Sequence, residues 1–191
     1  KLLREYKNDV YVLGYHVDYW DNLGWKDAFS SAAYSQRQKN YAKVLKLSSV
    51  YTPQVIVNGV EQFVGSDENK LHASVDKDLK QMPAQTLSVT AKANNNSVDV
   101  FYQTNSSNNN LDIALIQLTA EKKVRRGENS GATLHHVNIV RNIQTVALKN
   151  NSGNILINLP AGLSAKNCQV IAFTQDVNMK ITSAAKTNIQ L

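Results

Sequence analysis

Apolar positions follow two different rules along this chain, and the change comes near residue 84. In the first stretch, Val10-Tyr11-Val12-Leu13-Gly14-Tyr15-His16-Val17 is almost continuously apolar and rich in β-branched and aromatic residues. That pattern predicts a strand covered on both faces. Ser35 with Gln38 three positions later has the form of a capping box. Tyr41, Val44 and Leu45 behind it predict a helix over residues 36–46, after a looser turn from Phe29 to Tyr34. Val55-Ile56-Val57, Asn58-Gly59 and the run from Val60 to Val64 predict a hairpin, because a type I′ turn needs positive φ at both central residues. Pro53 at the mouth of the first strand costs no ladder hydrogen bond, and an X–Pro bond there can be cis. Ser66 as N-cap, acidic Asp67 and Glu68 in the first turn, and Leu71, Val75 and Leu79 at i+4 spacing predict a helix over 67–81, stopped by Pro83.

From Gln85 onward the period is two. Thr86 to Ala93 and Val98 to Gln103 alternate about an Asn94-Asn95-Asn96 turn. Leu111 to Thr119, Ala132 to Val140, Ile143 to Leu148, Ile155 to Leu159, Val170 to Gln175 and Ile181 to Ala184 continue as short strands between Asn-rich loops. Strands at this spacing without helices predict an all-β antiparallel, immunoglobulin-like sandwich. The expected boundary is Met82-Pro83-Ala84, giving domains over 1–83 and 84–191. Leu2, Leu3 and Tyr6 share a helical face, so the chain is expected to open on the tail of a helix. Residues 1–83 then have the order helix tail, strand, helix, hairpin, helix. That is the order of an α/β thioredoxin-like domain, N-terminally truncated, without its first strand and the front of its first helix. Such a sheet would keep an exposed edge, and self-association through it is expected.

Composition narrows the partners. Residues 1–83 carry eleven Lys and Arg against ten Asp and Glu, and residues 84–191 carry ten against five, so most of the +6 charge lies in the second stretch. Lys122, Lys123, Arg125 and Arg126 dominate it but lack interleaved aromatics, which reads as a solvated loop and not as a nucleic-acid surface. No apolar run approaches the roughly 20 residues that span a bilayer. The single cysteine, Cys168, lies in a strand-like segment and reads as a small buried hydrophobe. It excludes a disulfide or a cysteine-based zinc site within this chain.

The candidate chemistry is concentrated in a dense aromatic and acidic loop, Asp18 to Asp27. His16 and Asp18 are two apart at a strand end and point to one side if the strand continues, with Asp21 nearby. Such a pair suits holding a base in one tautomer. No third or fourth residue has metal-ligand spacing. His135-His136 is a poor chelating pair, since neighbours on a strand face opposite sides, and His72 is expected on a helix surface. No phosphate loop, Gly-x-Ser-x-Gly or dinucleotide fingerprint occurs. Arg126 to Gly131 reads as a connecting loop.

His16-Val17-Asp18-Tyr19-Trp20-Asp21, Leu23-Gly24-Trp25-Lys26-Asp27, Arg37-Gln38, Tyr41-Ala42, Tyr51-Thr52-Pro53-Gln54, Asn58-Gly59 and Gly65-Ser66 resemble a bacterial family of exported, thioredoxin-like proteins of unknown function. Gly127 to Gly131, Thr133-Leu134 and Asn138-Ile139-Val140-Arg141 extend the resemblance over nearly the whole chain. The resemblance implies a periplasmic or secreted protein, with Thr52-Pro53 as the cis-proline dipeptide beside a redox site. It also implies a Cys-x-x-Cys motif before Lys1, and no cofactor. The chain has no such pair, so no catalytic residue is assigned within it. Three functions follow as expectations. The first is a cell-envelope thiol-disulfide oxidoreductase-like protein, inactive in this chain, whose substrate would be a protein dithiol or disulfide. The second is a non-catalytic binding module of the envelope, and the third an enzyme using His16 and Asp18 as acid and base. The vicinity residues are His16, Asp18, Tyr19, Trp20, Asp21, Trp25, Tyr51, Thr52, Pro53 and Gln54, with no metal.

Overall fold

The computed structural model of the protein describes residues 5–6, 9–22, 25–83, 85–107, 109–124 and 131–191. Most of the expected opening helix (Lys1 to Arg4), Leu23-Gly24 and the basic loop from Arg125 to Ser130 lie outside the described residues.

Helix α1 spans Ala32–Val44 and is capped by Ser31, whose side chain accepts from the Ala33 N–H. It starts earlier than the capping-box pattern predicts, because Ser35 is otherwise engaged. Its Oγ accepts from the Asp18 N–H at 3.0 Å and donates to Asp18 Oδ1 at 2.5 Å. The helix ends at Leu45, and Lys46 takes positive φ. The hairpin forms as the sequence predicts. β1 (Gln54–Val57) pairs antiparallel with β2 (Glu61–Val64), and Asn58 and Gly59 both have positive φ. A Cβ at Gly59 would lie 2.2 Å from the Met179 carbonyl oxygen, so only glycine lets this turn approach the 176–181 turn so closely. Helix α2 spans Glu68–Leu79, capped by Asp67 and not Ser66. It buries Ser74 and Val75 and leaves Leu79 exposed.

The remaining strands are β3 (Leu87–Asn94), β4 (Ser97–Thr104), β5 (Asn110–Lys123), β6 (Thr133–Ala147), β7 (Ser152–Asn158), β8 (Cys168–Gln175) and β9 (Ile181–Gln190). They form one seven-stranded sheet in the order β6-β5-β8-β9-β3-β4-β7. Every neighbouring pair is antiparallel except β3 and β9, which run parallel. The sheet curls until its outer strands meet through side chains. Asn142 Nδ2 donates to the Asn158 carbonyl at 3.2 Å, and Gln144 Nε2 to the Leu156 carbonyl at 2.9 Å.

Inside the curl lie Val98, Val100, Leu111, Ile113, Leu115, Ile157 and Val170, all fully buried. On the other face of β5, β6 and β8, Ala114, Ile116, Val140, Ile171 and Phe173 pack against Tyr34 of α1, with Tyr11, Leu13 and Tyr15 beside them. All eight residues of β8 are buried, including Cys168. Burying each large aliphatic of this double core contributes about 1.5–3 kcal/mol.

The structure overturns the expected fold class. The chain is mostly β, with a curled mixed seven-stranded sheet and two short helices among the described residues. It is neither an α/β thioredoxin-like domain nor an antiparallel, immunoglobulin-like sandwich. Among the described residues the segment from Val10 to Val17 pairs with β6 at one isolated parallel bridge, Gly14 to Ile139, and Asn138 Nδ2 also donates to the Val12 carbonyl at 3.0 Å. There Gly14 N–H donates to Asn138 O at 2.7 Å and receives Val140 N–H on its own carbonyl at 2.9 Å. The hairpin β1–β2 is a sheet of two strands. What were expected as two strands, Ala132 to Val140 and Ile143 to Leu148, are one long strand bent in the middle. Asn138 has positive φ and the register with β5 shifts beside Ile116, so a bulge bends the strand where the alternation breaks. That bend lets one sheet wrap round its own core instead of dividing into two.

Candidate functional site

The loop after Val17 is organised by its own side chains. His16 Nδ1 lies 2.5 Å from Asp27 Oδ2, and Asp27 Oδ1 accepts from the Phe29 N–H at 2.9 Å. Asp21 accepts from the Asp27 N–H at 3.2 Å and from the Ser30 hydroxyl at 2.6 Å. Burial acts to raise the Asp27 carboxyl, but the hydrogen bonds from His16 and Phe29 outweigh it and hold Asp27 below the usual range. Phe29, 8% exposed, is the floor of this corner. His16 and His136 meet its ring edge-on at centroid distances of 5.5 and 5.3 Å, and the two imidazoles are 5.1 Å apart. The Arg141 guanidinium lies 5.0 Å from the Phe29 centroid and Lys122 Nζ 6.0 Å. Burial, then the neighbouring charge of His16, pushes the His136 imidazole below its usual value. His136 Nε2 is buried and has no hydrogen-bond partner among the described residues. Its sequence neighbour His135 faces the other way, 3.1 Å from Glu121.

A second network runs from the same loop to the hairpin. The Tyr19 hydroxyl donates to Gln38 Oε1 at 3.0 Å. Gln38 Nε2 reaches the Tyr51 carbonyl at 2.8 Å and Gln54 Oε1 at 2.9 Å. Gln62 Oε1 accepts from the Tyr51 hydroxyl at 2.5 Å and from Gln54 Nε2 at 2.9 Å. Trp20 packs on Tyr19 with centroids 5.4 Å apart, and its indole N–H donates to Thr52 Oγ1 at 3.0 Å. The Thr52–Pro53 peptide is cis, and the Pro53 carbonyl accepts from the Gly65 N–H at 2.8 Å. Trp20, Thr52 and Pro53 are exposed, Trp20 by 52%.

The expected vicinity residues therefore fall into three places. Asp18, Tyr19, Trp20, Tyr51, Thr52, Pro53 and Gln54 surround α1 and the hairpin mouth as one connected surface. His16 and Asp21 belong to the Phe29 corner, and the carboxylate partner of His16 is Asp27, while Asp18 bonds Ser35. Trp25 stands apart, lining a cleft with Lys26, Ala28, Lys122 and Lys123. Sequence reasoning did not single out Asp27, Phe29, Gln38, His136 or Arg141 as site residues. Asp27 was visible as a further carboxylate in the loop. Nothing in a single sequence pairs His16 with a residue 120 positions away.

No group of three or more His, Cys, Asp or Glu among the described residues is arranged to hold a metal. Burial pushes the Cys168 thiol up to about 11, and its Sγ lies 3.3 Å from the Ser164 carbonyl. No helix among the described residues is long and apolar enough to cross a membrane.

The family described as Protein of unknown function (DUF1223) matches residues 1–175. A structural-genomics crystal structure of a protein from Agrobacterium tumefaciens is 26% identical, with a TM-score of 0.63 over 94% of this chain and 82% of that one. A β-glucuronidase from Ruminococcus gnavus, solved with an N1-substituted uronic isofagomine, is 14% identical over 58% of this chain and 16% of its own, with a TM-score of 0.28. A likeness of that size carries no argument. No curated protein matches the chain. With the match running from residue 1 to the end of β8, this chain belongs to the family of proteins of unknown function numbered DUF1223.

Proposed function

We propose that this chain is a recognition module of the bacterial cell envelope, and that the surface of Trp20, Tyr51, Thr52 and Pro53 receives an extended polypeptide. The observation that carries the reading is Trp20. Its ring is half exposed, yet its indole N–H is fixed by Thr52 and its flank by Tyr19. A large aromatic held in one orientation with a face open to solvent has the character of an interface anchor. Selection of binders from a random-peptide phage library tests it. Selected peptides are expected to bind the wild type and to weaken at least about tenfold on Trp20→Ala, a loss of about 1.4 kcal/mol. Peptides that bind Trp20→Ala equally well, or no selectable binder, would overturn the reading. Export belongs to the same proposal and is tested by fractionating cells that express the tagged full gene product. So does self-association through the hairpin edge, which light scattering over a concentration series tests; a mass that stays monomeric throughout rejects it.

A thiol-disulfide exchange role is the second reading, favoured by the exposed position of Thr52 and Pro53, beside which a protein dithiol or disulfide substrate would lie. It requires a reactive thiolate, and the one cysteine of this chain is buried with its thiol raised. Insulin-disulfide reduction by this chain is therefore expected to be nil. Turnover that Cys168→Ser abolishes would displace the recognition reading.

A further inference from the structure

The Phe29 corner and the cleft beside it take no part in the recognition surface, and among the described residues the cationic side chains of Lys26, Lys122, Lys123 and Arg141 gather there against the carboxylates of Asp21 and Asp27. The cleft has a volume of about 260 Å³ and is lined by Trp25, Lys26, Ala28, Lys122 and Lys123. Lys122 is common to both places, since it also lies over the Phe29 ring. Among the described residues the nearby carboxylates keep their charge, but they are held by other groups and form no ion pair with these lysines. Asp27 accepts from His16 and Phe29, Asp21 from Asp27 and Ser30, and Glu121 sits against His135 on the opposite side of β6. Among the described residues, Lys26, Lys122 and Lys123 form no ion pair. Arg141 hydrogen-bonds the neutral Gln117 side chain and keeps its charge uncompensated there. His136 adds a buried ring nitrogen without a partner.

The charge of the residues that line the cleft decides which ligand it can take. Lys26, Lys122, Lys123 and Arg141 repel a divalent cation, and no third metal ligand converges with His16 and His136. The same groups attract an anion, and a cleft with low-dielectric walls focuses that attraction. Trp25, half-buried at the cleft wall, adds a flat apolar face.

We propose that this cleft binds a small molecule with an anionic head, a phosphate monoester or a carboxylate, carried on a planar ring. The head sits among Lys26, Lys122 and Lys123, and the ring lies against Trp25. Calorimetry and Trp25 fluorescence at fixed ionic strength, with phenyl phosphate, benzoate and inorganic phosphate as probes, test this. Saturable one-to-one binding of phenyl phosphate or benzoate is expected, and the tighter of the two identifies the head group. Lys122→Gln with Lys123→Gln, two exposed positions whose change leaves the core intact, is expected to weaken binding at least about tenfold. Trp25→Leu is expected to weaken the ring-bearing probes and leave inorganic phosphate unaffected. Failure to saturate by about 10 mM, or equal titration of wild type and the double lysine variant, overturns the proposal. Inorganic phosphate binding as tightly as phenyl phosphate overturns the ring-binding part.

Discussion

Arg37 and Gln38 are consecutive on α1, and each anchors a polar network on its own side of the helix. Arg37 points into the molecule. Its guanidinium lies 3.1 Å from Asp112 on β5 and 2.8 Å from Gln175 Oε1 on β8, and sits 5.5–5.7 Å from the ring centres of Tyr15, Tyr41 and Phe173. Asp112 is 1% exposed and also accepts from Thr145 of β6, and Gln175 donates to the Tyr41 hydroxyl at 2.6 Å. Gln38 ties Tyr19 to Tyr51 and Gln54, and the members of that network are only half-buried, beside the exposed Trp20 and Thr52. The contrast separates two uses of polar side chains. Buried, they fix where the helix lies on the sheet and cannot move without leaving a charge unpaired. At the surface, they hold a loop and a hairpin mouth in one relation while leaving the aromatic faces free. The proposed binding surface therefore lies on the Gln38 side.

Breaking the buried network should give the largest effect. Asp112→Ala leaves the Arg37 charge in an aromatic cage without its carboxylate, and is expected to cost about 3–5 kcal/mol of unfolding free energy. Denaturant unfolding measures it. Replacing both partners with apolar residues, Arg37→Met with Asp112→Val, is expected to cost less than the single change, because no charge is then stranded. Gln38→Ala is the matching cut on the outer side. It removes three half-exposed hydrogen bonds, whose groups can turn to water, so about 1–2 kcal/mol is expected. Equal losses from Asp112→Ala and Gln38→Ala would remove the distinction between the two sides of α1.

The elements of the first stretch that depend on neighbours in sequence were legible. Asn58-Gly59 marked the hairpin, and Pro83 the end of α2. In the second stretch the alternation of β3 and β4, and the uninterrupted run of β8, marked strands correctly because their period survives unbroken. Three things were hidden. Ser35 looks like an N-cap, but a tertiary partner, Asp18, takes its hydroxyl, and Ser31 caps the helix instead. The register shift at Arg141, close to the positive φ of Asn138, broke the period of β6 and made one bent strand look like two, and with it one curled sheet like a sandwich. Contacts such as Arg37 with Asp112, or His16 with His136, join residues 75 and 120 apart, and local pattern carries no record of them. The partner of His16 was misplaced for a smaller reason. Pairing it with Asp18 assumed that the strand continues, whereas the chain has already turned into the loop that brings Asp27 back.

The Phe29 corner lies between the two extremes of burial, and pH separates its contribution. His136 binds protons less readily in the folded chain than in the unfolded one. The stability it contributes is therefore complete above the unfolded value near 6.5 and falls as pH drops through its lower folded value. Asp27, also held below its usual value, contributes stability that is complete above about pH 4 and is lost as pH falls through its folded pKa. Unfolding midpoints are thus expected to decline in two steps on acidification. His136→Gln should remove the first step and Asp27→Asn the second. A midpoint that rises as pH falls from 7 to 5 would contradict this sign. The decline should be smaller than the loss on Gln38→Ala, since both groups remain partly solvated.

The smallest effect on stability is expected where the effect on binding is greatest. Trp20 is half exposed, makes one surface hydrogen bond, and rests on Tyr19 without entering either core cluster. Trp20→Ala should therefore change unfolding free energy by no more than about 0.5 kcal/mol, as for a surface substitution. A loss of 2 kcal/mol or more, on the order of that for a core truncation, would mean that the indole is part of what holds the loop to the hairpin. It would then belong with Arg37 as a structural group, and the outer network would lose its claim to be a binding surface. A near-neutral variant that no longer binds selected peptides gives the opposite result. Exposure kept at a fixed orientation, with no folding energy to account for it, is then explained by a ligand.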